Sequence, residues 1–199
     1  MFRKKSDKQP EQESVKLTWQ QELVESLRDV VIVFAIFLLV YMLLFRVVVV
    51  DGSSMNNTLY HGDRLILLSS TVYTDPQPGD IIVASMEDFN NGNCIVKRVI
   101  ATEGQTVYIK DNVVYVDGEP IDEPYALGQT LAPIYMLEPV VVEPGYVFVM
   151  GDNRENSTDS RMIGQIDKRE ILGKVLFLLT PGKETGKGES DTSRIGVVK

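Results

Sequence analysis

Residues 51–59 read Asp-Gly-Ser-Ser-Met-Asn-Asn-Thr-Leu and come just after a hydrophobic segment that is long enough to enter a bilayer. The stretch combines two serines, one glycine and an Asn-Asn pair, which are residues typical of turns. It marks the point where a continuous apolar run gives way to short β-type segments separated by turns. The sequence therefore predicts a mainly β protein, in which a single N-terminal transmembrane helix is followed by a β-rich extracytoplasmic domain.

The apolar segment covers residues 30–45 and contains no charged side chain. As a helix these residues rise about 24 Å, slightly less than the hydrocarbon core of about 30 Å, and flanking apolar residues can supply the difference. A cleaved secretory signal would have a shorter apolar region, followed by small residues at its cleavage site. This chain continues instead with Phe45-Arg46-Val47-Val48. We therefore predict an uncleaved transmembrane anchor over residues 30–46.

The regions on either side of the anchor differ in charge. Six Lys and Arg residues precede it, so the positive-inside rule places the N-terminus in the cytoplasm and the rest of this single-pass cell-membrane protein outside. Residues 1–29 are predicted to form a cytoplasmic tail and an amphipathic approach helix. Residues 181–199, rich in Gly, Ser, Lys and Glu, are predicted to be a disordered tail.

Residues 47–180 are predicted to form the β-rich domain. A segment with four prolines, residues 119–139, is expected to be an irregular insertion within it. The predicted strands are rich in β-branched and aromatic residues and lie at 47–50, 64–69, 81–84, 94–101, 106–110, 113–116, 140–142, 146–150 and 171–179.

Composition argues against several classes of partner. The formal net charge of −8 argues against nucleic acid, for which a basic surface is expected. The chain has one cysteine, Cys94, so no internal disulfide can form. It has one histidine, His61, so a metal site built from three or more Cys and His ligands is excluded. We predict no metal and no cofactor.

Lys97 lies in the apolar run Cys-Ile-Val-Lys-Arg-Val-Ile-Ala. In a strand, Ile95 and Val99 flank it on the same face, so its amine points at least partly into apolar surroundings. Burial lowers the pKa of a lysine, and a fall from about 10.4 to about 7 requires roughly 4–5 kcal/mol of destabilisation of the ammonium. The alternative is a lysine on an edge strand that extends its amine to solvent and pairs with an acid.

Residues 151–161, Gly-Asp-Asn-Arg-Glu-Asn-Ser-Thr-Asp-Ser-Arg, form a polar segment between apolar strands. A network of Asx turns or a solvated loop would explain this composition. A calcium loop fits less well, because the acids at 152, 155 and 159 lack the alternation and the terminal glutamate of an EF-hand.

Four segments together resemble the type I signal peptidases, in their single-anchor Gram-positive-like form. They are Gly52-Ser53-Ser54-Met55 with Thr58-Leu59, residues 78–82, residues 97–100 and residues 151–161. The family consists of membrane-anchored serine-lysine proteases that remove signal peptides from exported precursors. The resemblance implies a serine endopeptidase whose partners are signal-peptide-bearing pre-proteins and the lipid bilayer.

The resemblance also implies residue roles. The serine directly before the methionine, Ser54 and not Ser53, would be the nucleophile, and Lys97 the general base. Ser157 would hydrogen-bond the base, and Asp159 and Arg161 would brace the site.

Two positions depart from the family's pattern. Asn57 stands where the family usually has proline. Gly52 stands where some relatives have a serine that donates to the oxyanion, so the oxyanion hole would use backbone N–H groups, including that of Ser54.

The resemblance also implies that the substrate binds as an extended strand beside residues near 81–84 and 94–97, with shallow pockets for small side chains. The predicted substrate-binding residues are Met55, Ile81, Ile82, Val83, Ile95 and Val96.

Three other interpretations compete with this one. One is a serine-lysine protease of the self-cleaving repressor type, against which the anchor counts. The others are a pilus-type processing peptidase of the same chemistry and a non-enzymatic anchored β domain that binds extracellular ligands.

Overall fold

The computed structural model of the protein describes residues 18–85, 94–133, 136, 138–182 and 191–198. The chain divides into two units, residues 1–41 and 42–199. Most of helix α1 (Trp19–Leu44) belongs to the first unit, and none of its residues is buried. Among the described residues it is the one helix long and apolar enough to cross a membrane, which fits a membrane-anchored protein.

Helix α1 begins before the predicted anchor and ends inside it. The helix is continuous from Trp19 and stops at Leu44, and Phe45 and Arg46 lie in the first strand. The anchor over residues 30–46 stays a prediction. Residues 47–49 are all valine, which favours an extended backbone, and the strand is paired along its length with residues 64–68.

The strands are short, and most follow the predicted segments. They are β1 (Phe45–Val49), β2 (Arg64–Ser69), β3 (Ile81–Ser85), β4 (Cys94–Thr102), β5 (Thr106–Lys110), β6 (Val113–Val116), β7 (Glu119–Pro120), β8 (Val140–Val141), β9 (Tyr146–Met150), β10 (Ile166–Asp167), β11 (Ile171–Thr180) and β12 (Gly196–Val197). A one-turn helix, α2 (Ser160–Ile163), begins in the last two residues of the polar segment.

Two antiparallel sheets are formed within the described residues. The main sheet has the order β1-β2-β11-β3-β4-β9-β10, and β12 pairs with β11 beside this path. The second sheet has the order β7-β6-β5-β8. The predicted fold class, mainly β with a single N-terminal apolar helix, is confirmed.

The long strand β11 and its neighbour β3 occupy the middle of the main sheet. β11 pairs with β2 along residues 173–180 and with β3 along residues 171–174. β4 pairs with β3 through residues 94–98 and with β9 through residues 98–102. The β9-side edge of β4 at residues 94–97 therefore carries no strand within the described part of the chain.

Two predicted irregular regions contain regular structure. Glu119 and Pro120, predicted as part of an insertion, pair with β6. Residues 191–198, predicted as disordered, form a 3-10 turn at Thr192–Arg194 and strand β12. Both strands have only two residues, which is too short for a periodic pattern in the sequence. Each is ordered by pairing with a neighbouring strand. The prediction for residues 183–190 lies outside the described residues.

Candidate active site

The turn that carries Ser54 is anchored in the hydrophobic core by two of its side chains. Met55 and Leu59 are almost completely buried and pack in the cluster formed with β2, β3 and β11. The Met55 carbonyl accepts hydrogen bonds from the backbone N–H groups of Thr58 (3.0 Å) and Leu59 (2.8 Å). The sequence Ser-Met-Asn-Asn-Thr-Leu thus places two buried side chains in one tight turn, and these fix the backbone that carries Ser54.

The polar segment 151–161 is hydrogen-bonded to the same turn. The backbone N–H of Asn153 donates to the Ser54 carbonyl (3.0 Å), and its side-chain amide donates to the Ser53 carbonyl (3.0 Å). The amide of Asn156 donates to the Ser53 hydroxyl (2.7 Å). Ser53 is therefore engaged by the polar segment, whereas the Ser54 hydroxyl is left for another partner.

That partner is Lys97. Its Nζ donates to Ser54 Oγ across 2.7 Å, although the two residues are 43 positions apart in the chain. Lys97 is only 4% exposed. Burial lowers the pKa of Lys97 to about 8, the positive charge of Arg161 acts in the same direction, and the carboxylates of Asp159 and Asp152 oppose the fall.

Asp159 is fully buried and organises the side of the site behind Lys97. Its carboxylate accepts hydrogen bonds from Arg161 Nε (2.8 Å), the Gly151 N–H (2.9 Å) and the Ser157 hydroxyl (2.7 Å). Burial alone raises the pKa of Asp159, but the hydrogen bonds and charge of Arg161, together with the other donors, outweigh it and hold the pKa below its usual value. The Asp159–Arg161 pair therefore stays ionised, and it braces the segment.

The Ser157 hydroxyl donates a hydrogen bond to Asp159 (2.7 Å). A hydroxyl also has two lone pairs that can accept hydrogen bonds, so this donation leaves its oxygen able to accept one from an amine. The role of Ser157 toward Lys97 therefore stays a prediction.

Gly151 allows these groups to approach one another. A Cβ atom added at this position would overlap the Ser157 side chain and the Ser54 carbonyl oxygen. The polar segment can pass this close to the Ser54 turn because residue 151 has no side chain.

A second buried ion pair links the two halves of the site and was missed by the sequence analysis. The Arg98 guanidinium makes two hydrogen bonds to Asp152 (2.9 and 2.7 Å), and Asp152 also accepts from the Thr58 hydroxyl. The strand that carries Lys97 is therefore tied to the turn that carries Ser54. The acidic residue in the polar segment and the arginine beside the lysine were visible signals for this pairing.

The insertion supplies further contacts for which the sequence had no signal. Glu123 pairs with buried Arg154, and the Tyr125 ring lies 3.8 Å from the Arg98 guanidinium carbon. The Leu127 N–H donates to the Asp152 carbonyl (2.7 Å). These contacts connect residues 123–127 to the polar segment, so the insertion supports the site from outside.

An open cleft runs past the Ser54 hydroxyl and the Lys97 amine. The cleft is lined by residues 50–55, residues 94–97, Asn156 and Thr158. Three of the predicted substrate-binding residues, Met55, Ile95 and Val96, line it.

Ile81, Ile82 and Val83, the other three predicted substrate-binding residues, are not among the residues that line this cleft, and their role stays a prediction. Both edges of β3 are already paired, with β4 and with β11, and the three side chains are buried in the core. Within the described part of the chain, residues 94–97 of β4 have a strand partner on one edge only, and they line the same cleft as Ser54.

No group of three or more His, Cys, Asp or Glu side chains that could hold a metal ion occurs within the described ranges. The arrangement that the structure does contain is a hydroxyl in contact with a buried amine of lowered pKa, which is suited to nucleophilic chemistry.

A mainly β domain behind an apolar helix, with a serine and a buried lysine in contact beside a cleft, is an architecture suited to a peptidase. The model of the family described as signal peptidase, peptidase S26, matches residues 23–180. The chain belongs to this family.

Several relatives are named signal peptidase I. A probable signal peptidase I-1 from Synechocystis sp. is 41% identical over 145 residues, which cover 69% of this chain and 72% of that protein. Signal peptidase I from Bacillus licheniformis is 35% identical over 179 residues, covering 84% of this chain and 94% of that protein. The crystal structure of a signal peptidase I from Enterococcus faecalis V583 is 28% identical, with a TM-score of 0.43, and covers 50% of this chain and 96% of that chain.

Proposed function

We propose that this protein is a membrane-anchored endopeptidase that removes signal peptides from exported pre-proteins, with Ser54 as the nucleophile and Lys97 as the general base. Membership of the signal peptidase family supports the substrate class. The observation that carries the mechanism is the 2.7 Å contact between Lys97 Nζ and Ser54 Oγ in a setting that lowers the pKa of the amine to about 8.

The first half of the reaction follows from this contact. The neutral Lys97 amine takes the hydroxyl proton as Ser54 Oγ attacks the scissile carbonyl carbon, and an oxyanion forms. The C–N bond then breaks, the ammonium of Lys97 returns the proton to the leaving amine, and the signal peptide remains as an ester on Ser54. The new N-terminus of the mature protein leaves the site.

The second half uses the same groups. Neutral Lys97 accepts a proton from a water molecule as that water attacks the ester carbonyl, and Ser54 Oγ recovers a proton as the leaving group. A histidine mechanism has less support, because His61 Nδ1 accepts a hydrogen bond from the Gly52 N–H (3.3 Å) and not from the Ser54 hydroxyl.

The backbone N–H of Ser54 is proposed to stabilise the oxyanion. None of the hydrogen bonds found among the described residues uses this N–H as a donor, so it is available to a substrate oxygen. A donor placed where negative charge develops contributes about 2.7–4 kcal/mol to the transition state in comparable sites.

The precursor is proposed to bind in the cleft as an extended segment. Residues 94–97 of β4 offer backbone groups on the edge not used by β3, and Ile95, Val96 and Met55 provide apolar contacts. Strand addition gives affinity through main-chain hydrogen bonds, and the pockets between side chains give specificity.

The helix α1 is proposed to anchor the enzyme, with the N-terminus in the cytoplasm and residues 47–199 on the opposite side. Its 26 residues span about 39 Å, which is enough to cross a hydrocarbon core of about 30 Å. An anchor that ends ten positions before Ser54 in the chain keeps the nucleophile close to the membrane where signal peptides emerge.

Cleavage of an authentic precursor tests the proposal. The full-length protein in detergent should release the mature chain, Ser54→Ala should abolish release, and Ser53→Ala should retain most of it. Ser53 is a matched control, because it is the adjacent hydroxyl and lies in the same turn. Loss of activity in Ser53→Ala with retention in Ser54→Ala would assign the nucleophile to the other serine, and an inactive wild-type protein would refute the peptidase itself.

A further inference from the structure

The segment at residues 191–198 lies beyond the part of the chain that the family model matches, which ends at residue 180. It is nevertheless attached to the main sheet, because Gly196 and Val197 pair with Leu178 and Phe177 of β11. Within this segment Asp191 accepts hydrogen bonds from the N–H (2.9 Å) and the hydroxyl (2.6 Å) of Ser193, which start the turn that presents Arg194.

The Arg194 side chain reaches the stretch that directly follows the Ser54 turn. It pairs with Asp63 (2.6 Å), donates to the Thr58 carbonyl (3.2 Å), and places its guanidinium carbon 4.4 Å from the centre of the Tyr60 ring. Asp63 is fully buried, and Arg194 is only 16% exposed at its side chain. A desolvated guanidinium that satisfies a carboxylate, a carbonyl and an aromatic face together holds all three in a defined arrangement.

The groups held by Arg194 are continuous with the site. Thr58 donates its N–H to the Met55 carbonyl, and its hydroxyl contacts Asp152, the partner of Arg98. The same short turn therefore carries Ser54 at one end and the Arg194 contacts at the other.

We infer that Arg194 is a positioning residue for the nucleophile. It acts by fixing residues 58–63, which directly follow the Ser54 turn, through its contacts with them. The inference rests on the proposed function, because its consequence is the placement of Ser54 against Lys97. It extends the active-site support to a segment outside the family match. The segment bears on the reaction without touching the cleft, whose lining does not include Arg194.

A displacement of the nucleophile has a large effect on chemistry and a small effect on binding. Misplacement of reacting groups by about 1 Å can cost about a hundredfold in rate. If removal of Arg194 moves Ser54 by less than about 1 Å, kcat should fall by about tenfold. KM should stay unchanged, because Arg194 does not line the cleft.

Three variants of the full-length protein test the inference. Arg194→Ala removes every contact. Arg194→Lys keeps a positive charge for Asp63, but it loses the planar guanidinium that also reaches the Thr58 carbonyl and the Tyr60 ring. Arg169→Ala is the control, because Arg169 also pairs with an aspartate but its side chain is 88% exposed.

The measurements are kcat and KM for a fixed precursor, at a temperature at least about 10 °C below the Tm of each variant. We expect Arg194→Ala to lower kcat about tenfold with an unchanged KM, Arg194→Lys to lower it less, and Arg169→Ala to match the wild type. A lower Tm with an unchanged kcat in Arg194→Ala would show a purely structural role and overturn the inference.

Arg194→Lys decides the question if Arg194→Ala does not fold, since a kcat equal to that of the wild type in this variant also overturns it. Failure of the proposed function is recognised separately. In that case the wild-type protein does not cleave the precursor, or Ser54→Ala still cleaves it, whatever the Arg194 variants do.

Discussion

The substitution Lys97→Met should remove activity and, at neutral pH, make the protein more stable. Methionine has a similar length and no charge, so it occupies the buried position of Lys97 without the cost of desolvating an ammonium. Burial lowers the pKa of Lys97 from 10.5 to about 8 in the folded protein. At 1.36 kcal/mol for each pKa unit, this difference corresponds to about 3.4 kcal/mol of lost stability when the amine is protonated in both states.

The pH dependence of that cost follows from proton uptake on unfolding. Between pH 8 and pH 10.5 the unfolded chain binds more protons at Lys97 than the folded protein does, so the stability of the wild type rises with pH in this window. Below pH 8 the full cost is present, and above pH 10.5 it has vanished. Lys97→Met carries no such cost at any pH.

The free energy of unfolding of the two proteins, measured in urea by circular dichroism at pH 7 and pH 10.5, isolates this effect. The stability difference between Lys97→Met and the wild type should move by about 3 kcal/mol in favour of the wild type between the two pH values. Titration of the other groups is common to both proteins and cancels. The lost hydrogen bond to Ser54, worth about 1 kcal/mol, shifts both values by a similar amount.

Lys110→Met is the matched control, because Lys110 is exposed at the end of β5 and its replacement also removes one positive charge. A stability difference for Lys97→Met that stays constant between pH 7 and pH 10.5 would show that the folded protein does not hold this amine in its neutral form. The assignment of Lys97 as a general base would then lose its physical basis.

Three further predictions concern the site and its turn. Because burial lowers the pKa of Lys97 to about 8, kcat/KM should rise about tenfold per pH unit below pH 8 and level off above it; a profile that rises only above pH 10 would contradict the neutral base. Asn57 has a φ of 81°, which proline cannot adopt. Asn57→Pro should therefore lower the free energy of unfolding, measured in urea, by about 1–3 kcal/mol, whereas Asn57→Gly should stay close to the wild type. Equal stability of the two variants would refute this account. Cys94 is exposed and lines the cleft. Its alkylation with a bulky maleimide should therefore block most cleavage of a cysteine-free precursor, and the Cys94→Ser variant should be insensitive to the reagent. Full activity of the alkylated protein would place the substrate elsewhere.

At Asn57 the sequence gives only part of what the structure shows about the turn. The sequence indicates that the family's proline is missing from the turn. The structure adds that the backbone there has a left-handed conformation, which asparagine tolerates and proline excludes. The turn therefore has a different conformation from one built around proline, with the core residues Met55 and Leu59 still in place.

The sequence alone determined the features that depend on neighbouring residues. A charge-free run specifies the apolar helix, β-branched segments separated by turns specify the strands, and the alternation of a strand places Lys97 among apolar residues. The candidate pair Ser54 and Lys97 was also identified at this level, because four segments occur together in the chain and jointly resemble one family.

Only the tertiary structure decided which distant groups meet. Strand order is set by pairing between segments far apart in the chain. Among the described residues this pairing occupies both edges of β3 and leaves one edge of β4 without a strand at residues 94–97, which line the same cleft as Ser54. The contacts of Lys97 with Ser54 and of Arg194 with Asp63 also join residues that are far apart in the chain. A polar side chain selects the strongest partner that the fold brings within reach, and a one-dimensional pattern contains no information about that distance.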